Sequence, residues 1–252
     1  MKISPQHPRF QSLVIREKVT KAMKIGIVAP QGLIAHGRGE AFDYIIGERT
    51  LTSASIATSA AAALLLASKH PVLSVNGNTA ALVGDKIVRL SATIYAPIEI
   101  NIFHRTRERE HAIARYLQSL GAKKILGVDS AANISIKGIS SPRKQVDPRG
   151  INVADVVLVP LEDGDRAEAL TRAGKKVIAI DLNPLSRTSR VASISIVDNV
   201  VRALPALVKY SVRMKQYSGE RLQHQVSKYN NQSNLAAVIR EMRHYLRMWR
   251  PS

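Results

Sequence analysis

Apolar residues along the chain fall into two alternating patterns. Short, mostly apolar segments occur at Val72–Val75, Ile98–Phe103, Lys124–Val128, Asp155–Val159, Lys176–Ile180 and Ser193–Val197, and read as strands of a sheet covered on both faces. Between and around them, Ser53–Ser68, Thr79–Ala92, Thr106–Leu120, Asp165–Ala173 and Asn199–Tyr217 carry apolar residues at helical spacing. This alternation predicts an α/β core over residues 51–217: a largely parallel, six-stranded sheet with helices on both faces. Ahead of it, residues 1–50 read as a helix over His7–Lys24, with Phe10, Leu13, Val14, Val19 and Met23 on one face, followed by a glycine- and proline-bearing loop from Gly26 to Gly39. Behind it, residues 218–252 read as a polar stretch and then an amphipathic helix, Asn234–Met248, whose apolar face of Leu235, Val238, Ile239, Met242 and Leu246 needs a surface to cover it.

Composition narrows the classes. A chain of 252 residues can bury one substantial core. It has no cysteine, which removes disulfides and thiolate metal sites. The longest wholly apolar run, Ala60–Ala67, is too short to span a bilayer, and the amino end has no signal-peptide pattern, so a cytoplasmic protein is expected. A formal charge of +18 calls for a polyanionic partner or a solvated basic surface. Nucleic acid is one such partner, but aromatic residues make up only 4% of the chain, which leaves little for base stacking, and the basic residues form no known reading module. A polyanionic metabolite such as ATP fits the charge equally well.

Candidate chemistry gathers where strands end. Asp181-Leu182-Asn183-Pro184-Leu185-Ser186-Arg187 follows the apolar run Val177–Ile180, at the carboxyl end of a strand, where open α/β sheets bind ligands. Asp181 and Asn183 can pair with hydroxyls or an adenine edge, and Ser186, Arg187 and Thr188 can hold phosphate oxygens; an ordinary connection with a turn asparagine fits the same letters. Asn76 and Asn78 follow the first strand, and Arg105 and Arg107 follow the second, where two guanidinium groups can clamp a phosphate. Gly37-Arg38-Gly39 permits close approach of backbone and a guanidinium to a ligand, or is simply a structural loop. Glu162, Asp163 and Asp165 can bind Mg2+, with Asp165 as helix cap the competing role. His36, His70, His104 and His111 lack metal-ligand spacing and read as ordinary polar histidines. There is no P-loop and no complete dinucleotide fingerprint.

Taken together, Pro8-Arg9, Ile15–Lys18, Gly32–Thr50 (GLIAHGRGEAFDYIIGERT), Val75–Asn78, Val159–Arg166 (VPLEDGDR), Ile180–Arg190 (IDLNPLSRTSR) and Ile196–Asn199 resemble the archaeal phosphopantothenate synthetases, or 4-phosphopantoate--beta-alanine ligases, from about Pro5 to Tyr217. The resemblance implies a Rossmann-like fold, a homodimer, and an Mg2+- and ATP-dependent amide synthesis in coenzyme A biosynthesis. In that reaction 4-phosphopantoate and beta-alanine give 4'-phosphopantothenate, AMP and pyrophosphate through a phosphopantoyl adenylate. It places ATP contacts on Arg16, Arg38, Asp181, Leu182, Asn183, Arg187, Thr188, Asn199 and Val200. Arg38 and Arg187 are the expected catalytic pair, with Asn76, Asn78, Arg105 and Arg107 as the substrate-binding set. The competing classes are a basic nucleic-acid-binding protein and a kinase or nucleotidyl transferase acting on a related hydroxy acid.

Overall fold

The computed structural model describes residues 4–7 and 9–250, so Pro8 lies outside the described residues. Strands β1 (Pro71–Val75), β2 (Ile98–Ile100), β3 (Ile125–Leu126), β6 (Val156–Pro160), β7 (Lys176–Ile180) and β8 (Ile194–Ile196) form one six-stranded sheet in the order β3-β2-β1-β6-β7-β8. Every pairing in it is parallel, so the sheet is wholly rather than largely parallel. Between β3 and β6 the chain makes a two-stranded antiparallel hairpin, β4 (Ile134–Ser135) with β5 (Gln145–Val146), in the interval expected to be irregular.

Counted along the large sheet alone, the order is that of a doubly wound α/β fold, and it reverses between β1 and β6. The apolar runs account for the covering of both faces. Successive strand side chains point to opposite faces, so Leu158, Ile178, Ile180, Ile194 and Ile196 join one apolar core while Val157, Val159, Val177 and Ala179 join another. The first core lies under α3 (Thr52–Ala67), α4 (Gly77–Ile94), α5 (Arg107–Ser119) and α8 (Val200–Met214). The second lies under α6 (Gly164–Arg172) and the segment around Val146–Ala154.

The flanking segments pack on this core. Helix α1 (Phe10–Lys24) rests on α4, contributing Val19 and Ala22 to the first core, and α9 (Gly219–Ser227) rests on α3, contributing Leu222. Helix α10 (Asn231–Met248) buries Leu235, Val238 and Met242 against Ile46, Leu51 and Leu182. Two elements differ from expectation. The stretch read as a loop from Gly26 to Gly39 is mostly helix: α2 runs from Pro30 to Ile45, with Pro30 at its first position, where its missing N–H costs nothing. Its Gly32 packs so closely on α4 that a Cβ would come within 2.3 Å of Asn78 Oδ1. Helix α9 fills part of the stretch read only as polar. No helix among the described residues is long and apolar enough to cross a membrane.

Candidate active site at the switch point of the sheet

Beside the β1/β6 switch point lies a cleft of about 380 Å3, lined by Ala35, Arg38, Gly39 and Phe42 of α2, by Leu161–Gly164 after β6, and by Asp181–Asn183 with Ser186–Thr188 after β7. Six of the nine residues expected to contact ATP therefore meet here: Arg38, Asp181, Leu182, Asn183, Arg187 and Thr188.

The loop after β7 is built by its own side chains. Asp181 accepts from the Asn183 N–H at 3.0 Å and the Ser186 hydroxyl at 2.5 Å, while the Asn183 side chain accepts from the Leu185 N–H at 2.9 Å. Ser186 then caps a short helix, α7 (Arg187–Val191), by accepting from the Ser189 N–H. Burial pushes the Asp181 carboxyl above its ordinary value, opposed by the Ser186 and Asn183 hydrogen bonds and by the charge of Arg38. The Thr188 hydroxyl donates to the Glu162 carbonyl at 3.0 Å, tying this loop to the one after β6. A Cβ on Gly164 would fall 2.7 Å from the Arg187 side chain, so only glycine lets the two loops close up.

Beneath the second loop is a buried ionic cluster. Glu162, 1% exposed, is held by both Arg143 and Arg166, and Arg143 also reaches Asp163 at 2.8 Å and the Asn101 side chain at 3.2 Å. Arg166 donates to Ser74 at 3.2 Å. Ser74 and Glu99 are the polar interruptions in β1 and β2, and the register pairs them side by side. Glu99 accepts from the Asp147 and Ile151 N–H groups, and burial pushes its carboxyl up to about 7. With Glu162 neutralised from below, the cleft mouth presents Arg38, which has no ion-pair partner among the described residues, and Arg187, only 3.8 Å from Glu168 at its nearest. The result is an electropositive rim suited to an anion.

This geometry corrects the acidic triad. Glu162 is committed to two guanidinium groups and has no free oxygen for a metal; Asp163, not Asp165, is the residue preceding α6, and it makes no side-chain cap. Among the described residues, no group of three or more His, Asp or Glu side chains is placed to hold a metal ion.

The remaining residues expected at the site lie around the cleft or away from it. Asn199 and Val200 line a narrow adjoining passage together with Asn78. Asn199 caps α8 and donates to Asp43, which in turn pairs with Arg202. Arg16 is set back on α1, paired with Glu40 of α2 at 2.8 Å. Asn76 is fully engaged across the switch point: its amide donates to the Pro160 and Leu161 carbonyls and its oxygen accepts from Thr79. Asn78 donates to the Gly32 carbonyl. Arg105 is turned to the buried Glu110 and to the Gly127 carbonyl, and Arg107 is exposed at the start of α5; neither lines the cleft. A free phosphate clamp at Arg105 is thus not what the geometry offers, because Glu110, five residues on, has claimed its guanidinium.

Two residues beside the cleft are not candidates in the sequence, where Arg143 carries no mark and His36 reads as an ordinary polar histidine. Arg143 comes from the hairpin segment, and only the fold brings it to Glu162. The His36 imidazole faces the passage with its Nε2 buried and unpartnered among the described residues. A polar residue one helical turn from Glu40 was the available signal for it, and a weak one.

Comparison with known proteins converges on one family. The phosphopantothenate/pantothenate synthetase family profile matches residues 53–245. A protein of Methanosarcina mazei named 4-phosphopantoate--beta-alanine ligase is 50% identical over 97% of this chain and 96% of its own length. Proteins of the same name from Thermococcus kodakarensis, 50% identical over 96% of this chain and 92% of theirs, and Methanospirillum hungatei, 50% identical over 85% and 86%, agree.

Proposed function

Because the chain belongs to the phosphopantothenate/pantothenate synthetase family, we propose that it is an ATP-dependent ligase joining 4-phosphopantoate to β-alanine, with the switch-point cleft as its nucleotide site. The observation that carries the assignment of the site is the meeting of Arg38 from α2 with Asp181–Thr188 across one cleft at the carboxyl ends of β6 and β7.

A carboxylate is a poor acyl donor, and activation by attack on the α-phosphorus of ATP concentrates negative charge on the transferring adenylyl group and the departing pyrophosphate. Arg38 and Arg187 are permanently charged and forked, and both face the space in which that charge would develop. Asp181, Leu182 and Asn183 hold the nucleoside end, and Thr188 fixes the position of Arg187 through its bond to Glu162. Asn199 and Val200 border the passage beside the phosphates, while Arg16 acts through Glu40, orienting α2 and with it Arg38. The pantoate moiety lies against Asn78, with exposed Arg107 as the reserve cation for the 4-phosphate; Asn76 and Arg105 support the loops on which these residues stand.

Mg2+ enters as part of the substrate, bound to the ATP phosphates and touching at most the half-exposed Asp163. Such use needs no all-protein cage, in keeping with the donor set at the cleft. We also read the protein as a cytoplasmic homodimer in which residues 51–217 form the Rossmann-like α/β core and residues 1–50 add a nucleotide- and substrate-binding segment. The test is to incubate the purified protein with ATP, Mg2+, 4-phosphopantoate and β-alanine and identify the products by mass. AMP, pyrophosphate and 4'-phosphopantothenate are expected; ADP would instead mark phosphoryl transfer.

A further inference from the structure

Amide formation needs a proton acceptor, because β-alanine reaches the enzyme as an ammonium ion and only the neutral amine can attack an acyl group. The nucleotide cleft offers no imidazole or amine: its titratable lining groups are Arg38, Arg187 and the carboxylates of Glu162, Asp163 and Asp181, each carboxylate already accepting a hydrogen bond within the protein. The neighbouring cavities do. Ala35, Gly39, Leu161 and Leu182 are shared between the cleft and a passage of about 60 Å3, and His36, Glu40 and Asn199 are shared between that passage and an outer basin of about 470 Å3. Helix α2 is the partition. Residues one turn apart, Ala35 and Gly39, face the cleft side, and His36 and Glu40 face the basin side.

We propose that His36 is the general base of the aminolysis step, accepting at Nε2 a proton from β-alanine that arrives through the outer basin. The inference rests on the ligase reading and extends it to the second half of the reaction. The His36 Nε2 is buried without a partner among the described residues, an uncommon state for a ring nitrogen unless a ligand completes it. Burial lowers the basicity of the imidazole, with Glu40 opposing and Arg16 reinforcing the shift, so the ring is neutral and able to accept a proton at physiological pH. The charged groups around it are Arg9, Glu40, Asp43, Glu48 and Arg202 lining the basin, with Arg16 nearby. Glu40 is paired with Arg16 and Asp43 with Arg202, which leaves Arg9 and Glu48, without ion-pair partners among the described residues, to meet the carboxylate and the ammonium of a zwitterion, and a passage this narrow suits an unbranched chain.

In the step itself, one ammonium proton moves to His36 Nε2 and the freed nitrogen lone pair forms the C–N bond at the acyl carbon of the adenylate. The acyl C–O bond then breaks with its electron pair leaving on AMP, and the second proton of the nitrogen passes to water. His36 contacts only the incoming amine, so formation of the adenylate does not depend on it.

The two half-reactions separate the roles. His36→Gln and His36→Asn keep a polar side chain but cannot accept a proton. Phosphopantoate-dependent exchange of labelled pyrophosphate into ATP, run without β-alanine, is expected to be unchanged in both, while 4'-phosphopantothenate formation falls by about 10²- to 10⁴-fold, the usual worth of one positioned base. Hydroxylamine, already neutral at pH 7, should be converted to the hydroxamate at the wild-type rate. The ratio of amide to hydroxamate formed by one preparation is independent of how much of it is folded. A drop in that ratio supports the base role; an unchanged ratio, or loss of exchange in step with loss of amide, overturns it. Absence of phosphopantoate-dependent exchange in the wild type would instead refute the ligase reading itself.

Discussion

Glu162→Gln is the sharpest probe of how the cleft is supported. The substitution is nearly isosteric, so it opens no cavity, and it removes one negative charge from between two buried cations. The Arg143 and Arg166 side chains are 4% and 1% exposed, and Glu162 is the carboxylate they share. Asp163, at 51% exposure, is too well solvated to take its place. Leaving a buried charge uncompensated costs about 3–5 kcal/mol. For a chain of this size each kcal/mol moves the midpoint by about 2–4 °C, which puts the expected loss at about 6–20 °C. Denaturant titration at fixed protein concentration is the assay: the midpoint should fall while the slope holds, marking lost stability rather than a changed unfolded state. Combining Glu162→Gln with Arg143→Met should be milder than the sum of the single effects, because the second change removes one of the two repelling cations, with a coupling of about 0.5–3 kcal/mol. A loss below about 1 kcal/mol for Glu162→Gln, within the range of ordinary surface changes, would refute the view that this cluster holds the loop after β6 in place.

Other outcomes follow from the same structure. The Glu99 carboxyl, raised to about 7 by burial, binds a proton in the folded protein that the unfolded chain has released, so stability should decline as pH rises from about 4.5 to 7. Glu99→Gln removes that decline, and the difference between the two pH–stability curves should change by about 3 kcal/mol across the window; parallel curves would show that Glu99 does not titrate there. Arg38→Ala should slow adenylate formation by about 10²- to 10³-fold, the scale for loss of one preorganised donor, read as pyrophosphate release in the first turnover. An unchanged first turnover would remove Arg38 from the chemistry. Glu241 of α10 accepts from the Thr52 and Ser53 N–H groups at the start of α3, so Glu241→Ala should cost about 1 kcal/mol in chemical denaturation without altering turnover.

The parallel core was readable because each of its strands must be apolar on both faces, which leaves continuous runs such as Val177–Ile180 that neither a surface helix nor a solvated loop would produce. The same rule marked the polar strand-end loops, and those after β6 and β7 do meet at the cleft. Helix α2 was hidden because Gly32, Gly37 and Gly39 are individually poor helix residues, and the close packing of Gly32 on Asn78 of α4 is a tertiary contact that no local pattern records. The pairing of Arg105 with Glu110 was not legible because Glu110 lies five residues on, inside α5, and a guanidinium free in sequence is not free in space. Arg143 lies 19 residues from Glu162, within a hairpin whose two-residue strands are too short to leave an alternation. His36 differs from the other histidines only in where α2 puts it, as part of the wall between two cavities.

Activation of a carboxylate by adenylation is the central claim, and the fate of its oxygen tests it directly. With 4-phosphopantoate labelled by 18O in the carboxylate, one labelled atom must be carried into the phosphate of AMP if that carboxylate attacked the α-phosphorus. Label in AMP is the predicted result. Label in inorganic phosphate, or an unlabelled AMP alongside 4'-phosphopantothenate, would contradict the account.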